Sequence, residues 1–317
     1  MTLELKARVN AMRYESRTVL SVELAPLERA ARFPPCDPGA HIDIEFRGDL
    51  RRSYSLLDAA DTDRYRIAIH RDPNSRGGSV FVHDALRVGD IVSISRPKNN
   101  FPLDENAQHS ILIAGGIGVT PILCMARRLI ALNAPFRLHY ASRSRAAAAF
   151  LDEITAIERS RASIGLHFDD EAGAFLDIAA IVGAAPAGAH FYCCGPEPML
   201  AAFKQATSHL SAAVVHFEHF SATEEAAREG DFEVVLARQK ISLSVPPGKT
   251  ILEVLLDAKI NVPFSCSDGV CGTCETRVIE GVPDHRDSFL TEAEKASNQT
   301  IMVCCSGAKT PKLVLDL

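Results

Sequence analysis

From Lys6 to about Ser95 apolar residues alternate with polar ones in short runs: Val19 to Leu24, His41 to Phe46, Ser53 to Leu57, Tyr65 to His70 and Ile91 to Ser95. A period of two is that of half-buried strands, and Asp37-Pro38-Gly39 and Arg47-Gly48-Asp49 supply turn chemistry between them. The pattern predicts a small antiparallel β-barrel. After Asn100-Phe101-Pro102-Leu103 the period changes. Apolar runs at Ile111 to Ala114, Phe136 to Tyr140, Ile164 to Phe168 and His190 to Cys193 read as buried strands. They alternate with helical stretches over Ile122 to Leu132, Ala146 to Ile157 and Pro198 to Ala206, which predicts an α/β parallel sheet. A polar stretch from Ser221 to Asp231 reads as a linker. Beyond it, Phe232 to Leu236 and Ile241 to Val245 form a predicted hairpin, and Ile251 to Ala258 a helix. The expectation is three domains, over residues 1–103, 104–224 and 225–317, with no internal repeat.

The most specific chemistry lies near the end, in Pro263-Phe264-Ser265-Cys266-Ser267-Asp268-Gly269-Val270-Cys271-Gly272-Thr273-Cys274. Its spacing is C-x4-C-x2-C, and a further cysteine pair, Cys304-Cys305, follows far downstream. That is the plant-type ligand pattern for a 2Fe-2S cluster, which needs four thiolates converging on one loop. Gly269 and Gly272 let such a loop curl inward and turn its amides toward the sulfurs. Zinc sites of four cysteines usually come as two short C-x2-C pairs, and here only Cys271 and Cys274 make one. A disulfide framework fits poorly with nine cysteines, an odd number, in a long chain whose start lacks a signal peptide's apolar core.

Composition narrows the partners. A chain of 317 residues with 47% hydrophobic and 23% charged side chains builds real cores. No apolar run approaches the roughly 20 residues of a bilayer span, so a cytoplasmic location is expected. A formal net charge of -6 argues against a phosphate-tracking surface and hence against nucleic acid. The cluster-bearing end, residues 225–317, holds 14 acidic and 10 basic side chains. That balance suits electrostatic docking, although a solvated acidic face is the commoner meaning.

In the barrel, Arg51-Arg52-Ser53-Tyr54-Ser55 alternates so that Arg52 and Tyr54 project from one face, an anion-binding guanidinium beside an aromatic platform. Alone, such a pair is more often a surface cross-strand contact. Arg76-Gly77-Gly78-Ser79, however, follows the strand Ile67-Ala68-Ile69-His70 and opens a short helical pattern, which is a phosphate cradle of free amides and the Ser79 hydroxyl. In the α/β region, Gly115-Gly116-Ile117-Gly118-Val119-Thr120-Pro121 turns a buried strand into a helix. Pro121 stands where a dinucleotide fingerprint has its third glycine; proline suits a first helical turn, and Thr120 is expected to cap it. A ligand of such a sheet lies beyond the strands' carboxyl ends, where Cys193-Cys194-Gly195-Pro196 also falls. The bland reading of these two cysteines is small buried hydrophobes.

In this order the motifs Arg52-Ser53-Tyr54-Ser55, Gly77-Gly78-Ser79, the glycine turn, Cys194-Gly195-Pro196 and the cysteines resemble the phthalate dioxygenase reductase family over essentially the whole chain. The resemblance implies an antiparallel β-barrel flavin domain, a parallel-sheet nicotinamide domain and a C-terminal α+β ferredoxin-like domain of the β-grasp type. It implies FMN held by Arg52, Ser53, Tyr54 and Ser55, by backbone from Ala68, Ile69 and His70, and by Gly77, Gly78 and Ser79. His70 departs from the family's usual lysine. NADH is implied at Gly115, Gly116, Gly118, Thr120, Pro121, Ser142, Arg143, Gly195 and Pro196, with Cys194 beside the nicotinamide and Phe220 over the flavin. Cys304 becomes the fourth cluster ligand beside Cys266, Cys271 and Cys274, leaving Cys305 as a spare thiol. The activity implied is transfer from NADH through FMN and a low-potential cluster, roughly -400 mV for plant-type ligation, to a separate Rieske non-haem iron oxygenase. That partner would hydroxylate or demethylate an aromatic or small organic substrate, and the reductase is expected to be a monomer. A reductase for a diiron or haem monooxygenase is the alternative within the class; an iron–sulfur redox sensor is the alternative outside it. For the nucleotide, Arg143 could accept a 2'-phosphate, whereas Asp169-Asp170-Glu171 at the next strand end would repel one.

Overall fold

A computed structural model describes residues 5–47, 50–75, 77–158, 163–220 and 224–317. Gly48 and Asp49 of the predicted turn, Arg76 of the predicted cradle and the start of the predicted linker fall outside these. The chain divides into two compact units, Thr2–Phe220 and Ser221–Leu317.

The first unit begins with an antiparallel barrel of β1 (Leu5–Ser16), β2 (Val19–Pro26), β3 (Ala40–Glu45), β4 (Arg51–Ser55), β5 (Tyr65–His70), the helix α1 (Gly78–Asp84), β6 (Ile91–Ile94) and the short β7 (Lys98–Asn99). The order is β4-β3-β6-β1-β2-β5, with β7 on β3. Strands β4 and β5, at the two ends of that order, lie against each other without a ladder. The Leu57 N–H, just past β4, reaches the Arg66 carbonyl on β5 at 2.8 Å. Ile42, Ile44, Ile67 and Ile69 alternate inward and are buried, as the period of two requires. Patterning does not reveal β1 beforehand. Its register shifts between Val9 and Ala11 and again between Tyr14 and Ser16, so its alternation is broken.

The same unit continues into a parallel sheet of β8 (Ser110–Gly115), β9 (Phe136–Ser142), β10 (Ser163–Phe168), β11 (His190–Cys194) and β12 (Val215–Glu218), in the order β10-β9-β8-β11-β12. Helices α2 (Val119–Ala131), α3 (Leu151–Glu158), α4 (Asp169–Ala172), α5 (Ile178–Gly183) and α6 (Glu197–Thr207) connect the strands. The helix predicted from Ala146 starts only at Leu151, because the Ala149 amide is taken by the Tyr140 hydroxyl at 3.1 Å and Phe150 sits at φ 61°. Thr120 does not cap α2: it lies inside the helix, and its hydroxyl donates back to the Ile117 carbonyl at 3.1 Å.

The second unit pairs the hairpin β13 (Phe232–Leu236) and β14 (Ile241–Val245) with β19 (Lys312–Leu315), β15 (Glu275–Glu280) and β17 (Thr300–Met302) in the order β14-β13-β19-β15-β17. Strand β19 runs parallel to β13, and helix α7 (Ile251–Asp257) is closed by a Thr250–Glu253 capping box. Ile251, Leu252, Val254 and Leu255 of α7 are buried in this unit's core, each worth about 1.5–3 kcal/mol. With α8 (Glu292–Ser297) and the pair β16 (Pro283–Asp284) and β18 (Gly307–Ala308), this is a β-grasp ferredoxin-like unit. The stretch from Glu224 is no free tether. The Ala227 amide donates to the Cys305 carbonyl at 2.7 Å, and Arg228 makes two 3.0 Å bonds to Glu253.

Barrel and parallel sheet are joined by charge. Arg66 on β5 bonds Glu153 of α3 at 2.7 and 3.0 Å and Asp58 at 3.0 Å, while Arg127 of α2 bonds both Asp58, at 2.7 Å, and Glu153. The four side chains are only 20–28% exposed, so removing one acid leaves two guanidinium groups poorly paired. Glu153→Ala should therefore destabilise the first unit by about 1–3 kcal/mol, read as a lower Tm by calorimetry, with Glu153→Asp intermediate.

Candidate functional site

On β4, Arg52 and Tyr54 share a face as expected, opposite Ile44 and Ile42 of β3. Tyr54 is packed edge-on to Phe46, which in turn meets Phe81 of α1 at 5.8 Å between ring centres. Arg52 reaches the start of α1, where a Cβ on Gly78 would lie 2.8 Å from its Cγ. The absence of a side chain at Gly78 is thus what lets a guanidinium close on a helix start, an arrangement suited to a phosphate. Ser79 stands beside it with its hydroxyl oxygen accepting from the Asp72 amide at 3.1 Å, and Gly77 precedes the helix at φ 96°. Ser53 and Ser55 point the other way. Ser53 donates to Asp43 at 2.7 Å, and Asp43 also pairs with Lys98 at 2.6 Å. On β5, Ala68 and Ile69 are buried, and His70 ends the strand. Partial burial, with Arg143 and His83 nearby, keeps the His70 imidazole below its usual pKa.

At the carboxyl edge of the parallel sheet, two turns meet backbone on backbone. A Cβ on Gly118 would lie 2.2 Å from the Cys194 carbonyl oxygen, and one on Gly115 would lie 2.6 Å from Pro196 Cδ. Gly195 lies against Gly115 and the Met199 sulfur. Gly115, Gly116, Gly118, Pro196 and the first turns of α2 and α6 therefore border one edge. Thr120 and Pro121 are buried within α2 behind it. Ser142 is buried at the end of β9, and Arg143 beyond it is exposed. The acidic stretch opposite is partly neutralised, since Arg145 bonds Glu171 at 3.1 Å through two guanidinium nitrogens.

Cys194 is fully buried, and burial, with Glu218 and Cys193 adding to it, drives its thiol pKa well up. Glu218 stands directly opposite on β12, in register with Cys194. Burial pushes its carboxyl up to about 8, and one of its oxygens has no hydrogen-bond partner among the described residues. Patterning does not single out Glu218; its signal is a lone carboxylate ending an apolar strand at the ligand edge of the sheet. Phe220 follows two residues later and is 38% exposed. The residue between them, His219, is held by Glu197 at 3.1 Å and Lys204 at 3.2 Å.

In the second unit Cys266, Cys271, Cys274 and Cys304 are all buried. Their sulfurs form an unbroken chain, Cys271 to Cys266 to Cys304 to Cys274. Contact with Cys266, then burial, raises the Cys271 thiol strongly, a crowding that bound iron relieves by taking the sulfurs as thiolates. Among the described residues no three side chains converge on a single metal ion. A chain of four sulfurs suits two bridged irons better than one, and Asp268 already directs its amide at the Cys266 sulfur at 3.3 Å. Left-handed backbone at Ser267, Gly269 and Gly272 curls the loop. Cys305 also touches Cys304, and its sulfur sits 3.8 Å from the Met302 carbonyl, beneath Gly269. The residues present fit a 2Fe-2S cluster, and the Arg52 cradle fits the phosphate of a flavin.

A barrel, a parallel sheet with a bare glycine edge and a four-thiol loop on one chain define an iron–sulfur oxidoreductase. Residues 234–309 match the 2Fe-2S iron-sulfur cluster binding domain family. Residues 93–213 match the N-terminal domain of the dimethylamine monooxygenase subunit DmmA-like family. The phenoxybenzoate dioxygenase subunit beta of Ectopseudomonas oleovorans is 49% identical over 98% of this chain and 96% of its own. The tetrachlorobenzoquinone reductase of Sphingobium chlorophenolicum is 48% identical over 95% and 94%. The phthalate dioxygenase reductase of Burkholderia cepacia is 42% identical over 99% and 97%. A solved phthalate dioxygenase reductase, described as a modular structure for electron transfer from pyridine nucleotides to [2Fe-2S], aligns with TM-score 0.79 and 41% identity, covering 99% of this chain and 98% of its own. The chain belongs to the phthalate dioxygenase reductase family.

Two outcomes follow from this geometry. Gly118→Ala forces a methyl group onto a backbone carbonyl and should cost about 1–3 kcal/mol, seen as a lower Tm together with a raised KM for NADH. Glu218 binds its proton in the folded chain up to about pH 8 but would release it near 4.5 when unfolded. The folded state then holds more protons across that window, so this group's contribution to stability falls as pH rises from 4.5 to 8. Glu218→Gln should flatten the decline of Tm between pH 5 and pH 8.

Proposed function

We propose that the chain is the NADH-oxidising reductase component of a two-component Rieske oxygenase system, with FMN in the barrel domain and a 2Fe-2S cluster on Cys266, Cys271, Cys274 and Cys304. One observation carries the reading: the phosphate cradle of Arg52 and Gly78, the bare glycine edge at Gly118 and the buried four-sulfur chain stand on one polypeptide in that order. When bound, FMN supplies the exchange between two-electron and one-electron chemistry, and the cluster supplies one-electron carriage. The protein's own groups position and shield. Arg52, with the amides of Gly78 and Ser79, holds the phosphate, and Tyr54 walls the ring. Backbone from Ala68 to His70 lies along the ring's edge, where a side-chain change from lysine to histidine matters little. Gly115, Gly116 and Gly118, with Gly195 and Pro196, admit the dinucleotide's pyrophosphate. Cys194 and Glu218, both kept neutral at pH 7 by burial, form an uncharged floor for the nicotinamide, and Phe220 covers the flavin face.

The division of labour follows residues 1–103, 104–224 and 225–317, in a cytoplasmic monomer that docks through its acidic cluster-bearing end. The oxygenase served would hydroxylate or O-demethylate an aromatic or small organic substrate. NADH is favoured over NADPH, since Asp170 remains exposed near the Arg143 backbone. The likeness to a tetrachlorobenzoquinone reductase favours one second reading, in which a small quinone takes the electrons directly.

Heat-released flavin should run as FMN against standards; mainly FAD would remove that assignment. A fragment ending at Phe220, where the contact boundary falls, should still oxidise NADH with ferricyanide but should not support a Rieske oxygenase. Cys271→Ser in the full chain should do the same by removing one thiolate. Oxygenase turnover by that fragment at the parent rate would make flavin the direct donor, and quinone reduction as fast as ferricyanide reduction would favour the second reading.

A further inference from the structure

The segment His285-Arg286-Asp287-Ser288-Phe289 lies between β16 and α8 and carries none of the expected ligands, yet it closes on the cluster loop. The Ser288 amide donates to the Gly269 carbonyl at 3.0 Å. A Cβ on Gly269 would lie 3.0 Å from both Cα and Cβ of Asp287, and one on Gly272 would lie 2.4 Å from the Phe289 ring. Asp287 is 1% exposed. One of its oxygens accepts from the Phe289 and Leu290 amides at 3.2 and 2.7 Å. The other has no hydrogen-bond partner among the described residues and faces His285 Nδ1 at 3.6 Å. The His285 side chain is itself 8% exposed, and neither of its nitrogens has a hydrogen-bond partner among the described residues. Arg286, between them, pairs with Asp284 at 2.9 Å and Glu224 at 3.6 Å.

Capping two amides needs one oxygen, which an asparagine would supply equally well. The carboxylate adds a buried charge set against a loop whose Gly269 is two residues from Cys271. We propose that Asp287 is a tuning residue that sets the reduction potential of the 2Fe-2S cluster. The proposal rests on the cluster assignment above. Reduction adds a negative charge to the cluster, so a buried carboxylate nearby disfavours the reduced state and lowers the potential. At an effective dielectric of about 20, a unit charge within roughly 10 Å changes a one-electron equilibrium about tenfold or more, and burial removes the screening that would weaken this at a surface.

The test is a spectroelectrochemical titration of the full-length holoprotein, following the cluster's visible and EPR signals, with iron and sulfide content measured in parallel. Asp287→Asn keeps the amide cap and removes the charge. It should fill with cluster to the parent level and raise the potential by at least a tenfold change in the equilibrium, about 59 mV for one electron. His285→Gln, which leaves the carboxylate in place, should stay within twofold of the parent. A parent-like potential in cluster-filled Asp287→Asn overturns the proposal. If Asp287→Asn fails to fill, Asp287→Ser is read by the same criterion, and failure of both to hold cluster also overturns it, making Asp287 a purely structural cap. A parent protein with no 2Fe-2S signal would instead overturn the cluster assignment itself.

Discussion

The structure depends on places where backbone touches backbone with no side chain between. Gly118 sits so near the Cys194 carbonyl that any Cβ would collide with a main-chain atom, which cannot swing aside as a flexible side chain does. This contact brings the starts of α2 and α6 together at the carboxyl edge of neighbouring strands β8 and β11. The dinucleotide edge proposed here needs this arrangement, in which a ligand can approach bare backbone with no side-chain atoms in the way. The second unit solves a different problem by similar means. Gly269 and Gly272 admit Asp287 and the Phe289 ring right up to the loop, so four sulfurs are held by packing from outside as well as by their own spacing.

Much of this is legible in the sequence because it rests on local periodicity. The strands of the barrel follow alternation, those of the parallel sheet follow continuous apolar runs, and the C-x4-C-x2-C spacing states its chemistry outright. What escapes is set by tertiary contact. The alanine run at 146–149 has high helix propensity, yet the Tyr140 hydroxyl takes one of its amides and holds it out of the helix. Thr120 has the right type for a cap, but the helix begins before it. Strand β1 is obscured by two register shifts. Glu218 and Asp287 read as ordinary acids in the sequence; only folding shows that one faces Cys194 and the other backs the cluster loop. Ser53 and Ser55 lie on the other face of β4 from Arg52 and Tyr54, as alternation requires.

The loose closure of the barrel has a consequence for handling the protein. Strands β4 and β5 end the sheet order and meet without a ladder between them, so each keeps backbone groups that another chain could pair with. In the proposed arrangement these are the strands that hold the flavin. Conditions that strip the cofactor, such as acid, chaotropes or prolonged dialysis, would thereby free that unlaced seam to open. Loss of yellow colour and onset of self-association should then share one cause, and preparations kept saturated with flavin should remain dispersed.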